Sequence, residues 1–177
     1  NCNDEHEQSK SNGRSNKMNI ELKGIKYTAW SSYETHHFQA TLYVDGKPLV
    51  IVSNEGHGGA DEHYPHPKCA GNFRAKMRDV EEYFENLPLA EIGLIDDDGK
   101  PVLSQPDLES WCIDQINDWL TVKDIKRKLR SHILFTIAGK SGIYQSNKRP
   151  NPSRNATILN DLTIAEIVPI WLERAEA

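Results

Sequence analysis

Polar and apolar residues alternate most regularly in HFQATLYV, residues 37–44, where Phe38, Ala40, Leu42 and Val44 share one side and Gln39, Thr41 and Tyr43 the other. Asp45-Gly46 follows, a pair suited to a two-residue turn with positive φ at both central positions, and then KPLVIVS at 47–53. A β-hairpin over about 37–53 is therefore predicted. IELKGIKYTAW at 20–30 alternates more loosely and reads as an edge strand. Beyond residue 72 the period changes. Met77, Val80, Tyr83, Phe84 and Leu87 recur at three- and four-residue spacing, with Pro88 to stop the helix they imply.

Residues 89–106 predict a connection with a turn at DDDGK, 96–100, and room for a short strand. A second helix is expected from about Asp107, with Leu108, Trp111, Cys112, Ile116, Trp119 and Leu120 on one stripe. KDIKRKLR, 123–130, continues helically, His132–Ala138 reads as a strand, and Gly139–Gly142 turns it back towards Ile143–Gln145. SNKRPNPSRNA at 146–156 is a loop. Thr163 and Glu166 form a capping box for a last helix whose buried side is Ile164, Ile167, Val168, Trp171 and Leu172; Pro169 should kink that helix or delay its start. The succession predicts an α+β protein: an antiparallel sheet with an N-terminal β-hairpin and about three helices packed on one face.

Composition narrows the class. With 177 residues, one α+β domain over 18–177 is expected, and residues 1–17 should be a disordered tail or an upstream extension. No apolar run approaches the roughly 20 residues that cross a bilayer, so no membrane partner is expected. Cys2, Cys69 and Cys112 are an odd number in a tail, a loop and a helix face, which fits a reducing cytoplasm better than a disulfide framework. Net charge is −5, unevenly spread: residues 122–154 hold nine lysines and arginines against Asp124 alone, a balance of +8 that leaves −13 elsewhere. That asymmetry points to a charged partner, met through Lys123, Lys126, Arg127, Lys128 and Arg130 on the basic helix or through Asp96, Asp97 and Asp98 at the acidic turn. Two solvated, oppositely charged faces are the plain alternative.

The conspicuous segment is VSNEGHGGADEHYPHPKC, 52–69. Its glycines do not follow a nucleotide-binding spacing, since no helix-opening Gly-Lys-Ser/Thr follows. His57, His63, His66 and Cys69 carry the donor atoms of a zinc site, with Cys112 and His132 as distant additions, though their spacing matches no established zinc signature. A structural loop explains the segment more simply. Gly56, Gly58 and Gly59 leave the strand through positive φ, Asn54 bonds its own turn, and Tyr64 covers the sheet end. No Gly-x-Ser-x-Gly, HExxH or Cys-His signature is present.

The run ETHHFQATLYVDGKPLVIVSNEGHGGADEHYP, 34–65, resembles an uncharacterised family of small bacteriophage and prophage proteins with an F-x-A-x-L-Y-x-D-G-K hairpin followed by an S-N-x-G-x-G-G turn. The Trp-containing helix at 111–120, the strand ILF at 133–135 and the ending ILNDLTIAEIVPIW at 158–171 are similar too. The resemblance implies expression in a bacterial host's cytoplasm and, by analogy, an accessory protein that binds a host protein or nucleoprotein complex, with anti-defence, anti-CRISPR-like inhibition as one form. Nucleic-acid binding through 123–130 and a metal-dependent hydrolase at the histidine loop are the alternatives.

Overall fold

The computed structural model describes residues 18–151 and 155–175. The described chain gathers into two compact units, one ending at Gln105 and the other beginning at Pro106, and each combines helix with antiparallel sheet. The α+β class is thus realised with three helices. The tail 1–17, with Cys2, and Arg154 lie outside the described residues.

The first unit is built on a four-stranded antiparallel sheet in the order β1-β2-β3-β4: β1 Ile20–Tyr27, β2 His37–Val44, β3 Lys47–Glu55 and β4 Glu62–Pro65. Its centre is the predicted hairpin, and Asp45 and Gly46 both take positive φ, 49° and 74°, as the turn requires. Register sets Leu42 opposite Val50, Ala40 opposite Val52 and Phe38 opposite Asn54, and all six are buried. Each large aliphatic buried there is worth about 1.5–3 kcal/mol. The last inward position of β3 is thus a polar amide, at the place where the chain must leave the sheet. Tyr64, on β4, sits opposite Ile51 with its ring exposed and its hydroxyl donating to Glu62 at 2.9 Å. It does not cover the sheet end as expected.

Helix α1, Phe73–Glu85, starts at Asn72, whose side chain accepts from the Ala75 N–H, and buries Met77, Val80 and Phe84. After Pro88 the connection proves to be a complete hairpin, β5 Ala90–Ile95 and β6 Pro101–Ser104. Asp96 makes its turn, accepting from the N–H groups of Asp98 at 2.9 Å and Lys100 at 2.8 Å.

In the second unit the predicted helix and the basic segment form one element, α2, Leu108–Ser131. Its 24 residues span about 36 Å. Asp107 and Ser110 cap it reciprocally, the Ser110 N–H donating to Asp107 at 2.7 Å. Leu108, Cys112 and Ile116 are buried near its start, whereas Ile125 is buried near its end, about half a turn round the helix from Ile116 at 100° per residue. The buried stripe changes sides partway along. Ile125 joins Leu134, Leu159 and Ile167 in a fully buried cluster flanked by Leu129, Ile143, Val168 and Trp171. Leu134 comes from β7, Ile133–Ile137, the middle strand between β8, Tyr144–Ser146, and β9, Ala156–Ile158. Helix α3, Ile164–Ala175, starts at the Thr163–Glu166 box and takes Pro169 within it, so the start is not delayed. Ile167 is on its buried side as expected, but Leu172 is exposed.

Candidate protein interface

Asn54 determines what the glycine-histidine loop is. Only 7% exposed, its amide oxygen accepts from the Gly56 N–H at 2.9 Å and the Thr35 hydroxyl at 2.7 Å. Its amide nitrogen donates to the Gly59 carbonyl at 3.1 Å and to Asp61 at 3.0 Å. Three of these bonds fold the loop after β3 back on Asn54, and the one from Thr35 joins it to the segment that leads into β2. Gly56 completes the joint: its carbonyl accepts from Tyr33 and Glu34 N–H groups at 2.9 and 3.1 Å. The Ser31 hydroxyl meets His37 Nδ1 at 2.5 Å, and the Ser32 hydroxyl accepts from the His37 N–H and donates to Thr28 O. Because Ser31 is buried and these bonds all brace one chain connection, the pair works as a tie and not as an exposed nucleophile beside its base.

The three histidines are spread along the sheet, and Cys69 stays beside His66, its N–H donating to His66 O at 2.8 Å. His66 sits at the start of β3, its N–H donating to Leu49 O at 3.0 Å, and its Nδ1 accepts from the Lys68 N–H. His63 is opposite Val52, and His57 follows Glu55 at the far end, stacked on Tyr33 with ring centroids 5.4 Å apart. Leu49 to Glu55 is six residues of strand, about 20 Å, so His57 and His66 do not reach a common ion. Among the described residues no group of three or more His, Cys, Asp or Glu is placed to hold a metal. Closeness in sequence suggested the zinc site; antiparallel register separates its members.

On α2, Lys123, Lys126, Arg127 and Arg130 lie within about 100° of arc, away from Ile125. Much of this charge has a local partner. Arg127 and Lys128 both bond Asp124, Lys128 at 3.3 Å; the Lys123 ammonium sits 4.5 Å from the Trp119 ring centroid and that of Lys128 sits 4.7 Å from Trp171. The Arg127 bond, with help from Lys128, holds the Asp124 carboxyl below its ordinary range, and Arg149 does the same for Asp161. Bonds from the Thr163 N–H and hydroxyl lower Glu166 likewise. Carboxyls depressed on folding stabilise above their unfolded pKa, near 4, and that contribution is lost as pH falls through the lower folded value. Asp161→Asn should accordingly lower the urea midpoint of the full chain at pH 7, and the gap from wild type should close as pH falls below the ordinary carboxylate range. A gap that persists unchanged in acid contradicts the assigned pairing.

The acidic residues have a different setting. Asp96, Asp97 and Asp98 are exposed at the tip of the β5–β6 hairpin, and beside them stand Leu89, Ile92, Leu94, Ile95 and Leu103, each between 49% and 64% exposed. Every residue of β5 is exposed. A two-stranded hairpin is at best marginally stable alone, so five large apolar side chains on its surface call for an external contact. Its base is clamped. The Gln105 side-chain amide donates to Phe84 O at 2.6 Å and Leu87 O at 3.0 Å, tying the hairpin to the end of α1.

The turn at 96–100 was legible, but the apolar flanks and the Gln105 clamp were not. Asn160 was also missed. It accepts from the Leu134 N–H at 2.7 Å and donates to Leu129 O and His132 O, joining the end of α2 to β7. Its only sequence signal was a lone Asn before the last helix. A scan of protein-family models and searches of curated proteins and solved structures find no match to this chain.

Proposed function

We propose that this is a binding protein, without catalysis of its own, that engages a host protein or nucleoprotein complex through the β5–β6 hairpin, residues 89–104. The phage-type resemblance suggests the setting: an accessory protein in a bacterial host's cytoplasm, with inhibition of a defence complex as one form of the activity. The observation that carries the reading is the exposed Leu/Ile set behind an acidic turn. Apolar anchors inside a charged rim are the usual composition of a protein contact.

Leu94→Asp places a charge in the centre of that set. It should abolish capture of the partner from nuclease-treated bacterial lysate while changing the unfolding midpoint little, because the side chain is exposed. Undiminished capture by the folded variant contradicts the proposal.

The cationic arc of α2 supports a second reading, direct nucleic-acid binding. Lys126→Glu with Arg130→Glu tests it: if this surface binds phosphates, retardation of a random duplex at low salt is lost in the double variant. We favour the hairpin, because Asp124 and two tryptophans already engage part of the basic set, whereas the hairpin's apolar side chains are exposed. Of the aromatics available to stack a base, Trp119 and Trp171 already face lysine ammonium groups and Tyr144 is stacked on Phe135.

A further inference from the structure

Resting on that reading, we infer that the hairpin's partner surface is a nucleic-acid-binding groove, occupied by this chain in place of the nucleic acid. From Asp79 to Gly99 the sequence DVEEYFENLPLAEIGLIDDDG holds eight carboxylates and no lysine or arginine. All eight, Asp79, Glu81, Glu82, Glu85, Glu91 and Asp96–Asp98, are exposed. They run from the outer side of α1 onto the hairpin, two elements joined by the Gln105 clamp. Interspersed with the later ones are the exposed aliphatic side chains of Leu89, Ile92, Leu94 and Ile95.

The complement of carboxylates alternating with aliphatic groups is lysine and arginine beside an apolar or aromatic floor. That is the chemistry of a groove that tracks a phosphate backbone and stacks bases. Two other occupants fit less well. A second copy laid on this face would bring eight carboxylates against eight. A strand added to the β5 edge would meet a register shift between Glu91 and Ile95, with Gly93 at φ 73°, where the edge is no longer regular. Contact therefore runs through side chains.

The test uses the full chain immobilised in nuclease-treated bacterial lysate, the nuclease then washed out. A DNA single strand of about 16 nucleotides, as long as the larger sites on one single-strand-binding OB fold, is added at constant ionic strength. The expected result is release of the captured protein by the oligonucleotide. Its capture should also be reduced about ten-fold or more by Asp96→Asn/Asp97→Asn/Asp98→Asn and lost with Leu94→Asp. If capture depends on Leu94 but the strand does not displace the protein, the hairpin remains a protein-binding surface and the groove assignment is overturned. Capture that ignores the three Asn substitutions also overturns the assignment. If wild type captures nothing, both readings fall. A wild-type dimer in sedimentation that Leu94→Asp makes monomeric assigns the face to a second copy and overturns the inference.

Discussion

Gly56→Ala should be the most damaging single-methyl change in the chain, costing about 3 kcal/mol or more and lowering the yield of folded protein. Two penalties coincide there. Gly56 has φ 83°, a left-handed conformation that costs an L side chain about 1–2 kcal/mol. An added Cβ would also run into the Ser31 carbonyl oxygen, which is backbone, and lie 2.9 Å from the His37 Cβ. Neither neighbour can give way without breaking the bonds among Ser31, Ser32, Thr28 and His37 that hold the entry to β2. Gly58→Ala is the control. Its φ is similar, 78°, but its added Cβ meets the carboxylate end of the Glu34 side chain, which can rotate away. Urea unfolding should therefore place Gly58→Ala well above Gly56→Ala in stability. Equal midpoints for the two would show that backbone conformation alone, and not packing against Ser31, sets the cost.

Asn54→Ala should follow closely, at about 2–3 kcal/mol. The loss exceeds that of an average hydrogen bond because the Gly56 N–H, in a buried setting, is left without its acceptor while the Thr35 hydroxyl and Gly59 carbonyl lose theirs and their donor together. Asn54→Asp separates the two halves of the amide. It keeps the acceptor for Gly56 and Thr35, removes the donor to Gly59, and sets a second carboxylate against Asp61. Its midpoint at pH 7 should consequently lie below wild type. Acidification through the carboxylate range should narrow the difference, since protonation removes the repulsion and restores a donor. Neither variant should alter partner capture once folded, because the loop's work is to close the sheet and the proposed contact lies at 89–104.

Legibility in the sequence followed the regularity of the burial pattern. The hairpin from His37 to Glu55 was readable because β2 and β3 each present one buried face and Asp45-Gly46 fixes the turn. The Thr163–Glu166 box was readable because it is local. Helix α2 was readable at its Asp107 start and through the basic segment that continues it, although its buried stripe passes from the Ile116 side to the Ile125 side and no single periodic line runs its length. The β5–β6 strands were obscured by the shift around Gly93, which breaks alternation.

The proposed interface was legible only at its acidic tip. A Leu or Ile in sequence reads as core, and nothing local distinguishes Leu94, which is exposed, from Leu42, which is wholly buried. The histidines offered only donor types: pairing between β3 and β4 carries His66 back to Leu49 while His57 stays beyond Glu55, an arrangement that the simpler structural reading of the loop accommodates. Asn54 was recognisable as a turn former, yet its bonds to Thr35 and Asp61 depend on tertiary placement.

The central claim is that the β5–β6 hairpin is the surface that meets the partner. Photo-crosslinking tests it most directly: a benzophenone side chain at position 94, at position 103 or, for comparison, at position 126 on α2, with each protein irradiated in bacterial lysate. One shared adduct is expected from positions 94 and 103 and none of it from 126. An adduct formed from 126 but from neither hairpin position would contradict the account and move the functional surface to the basic helix.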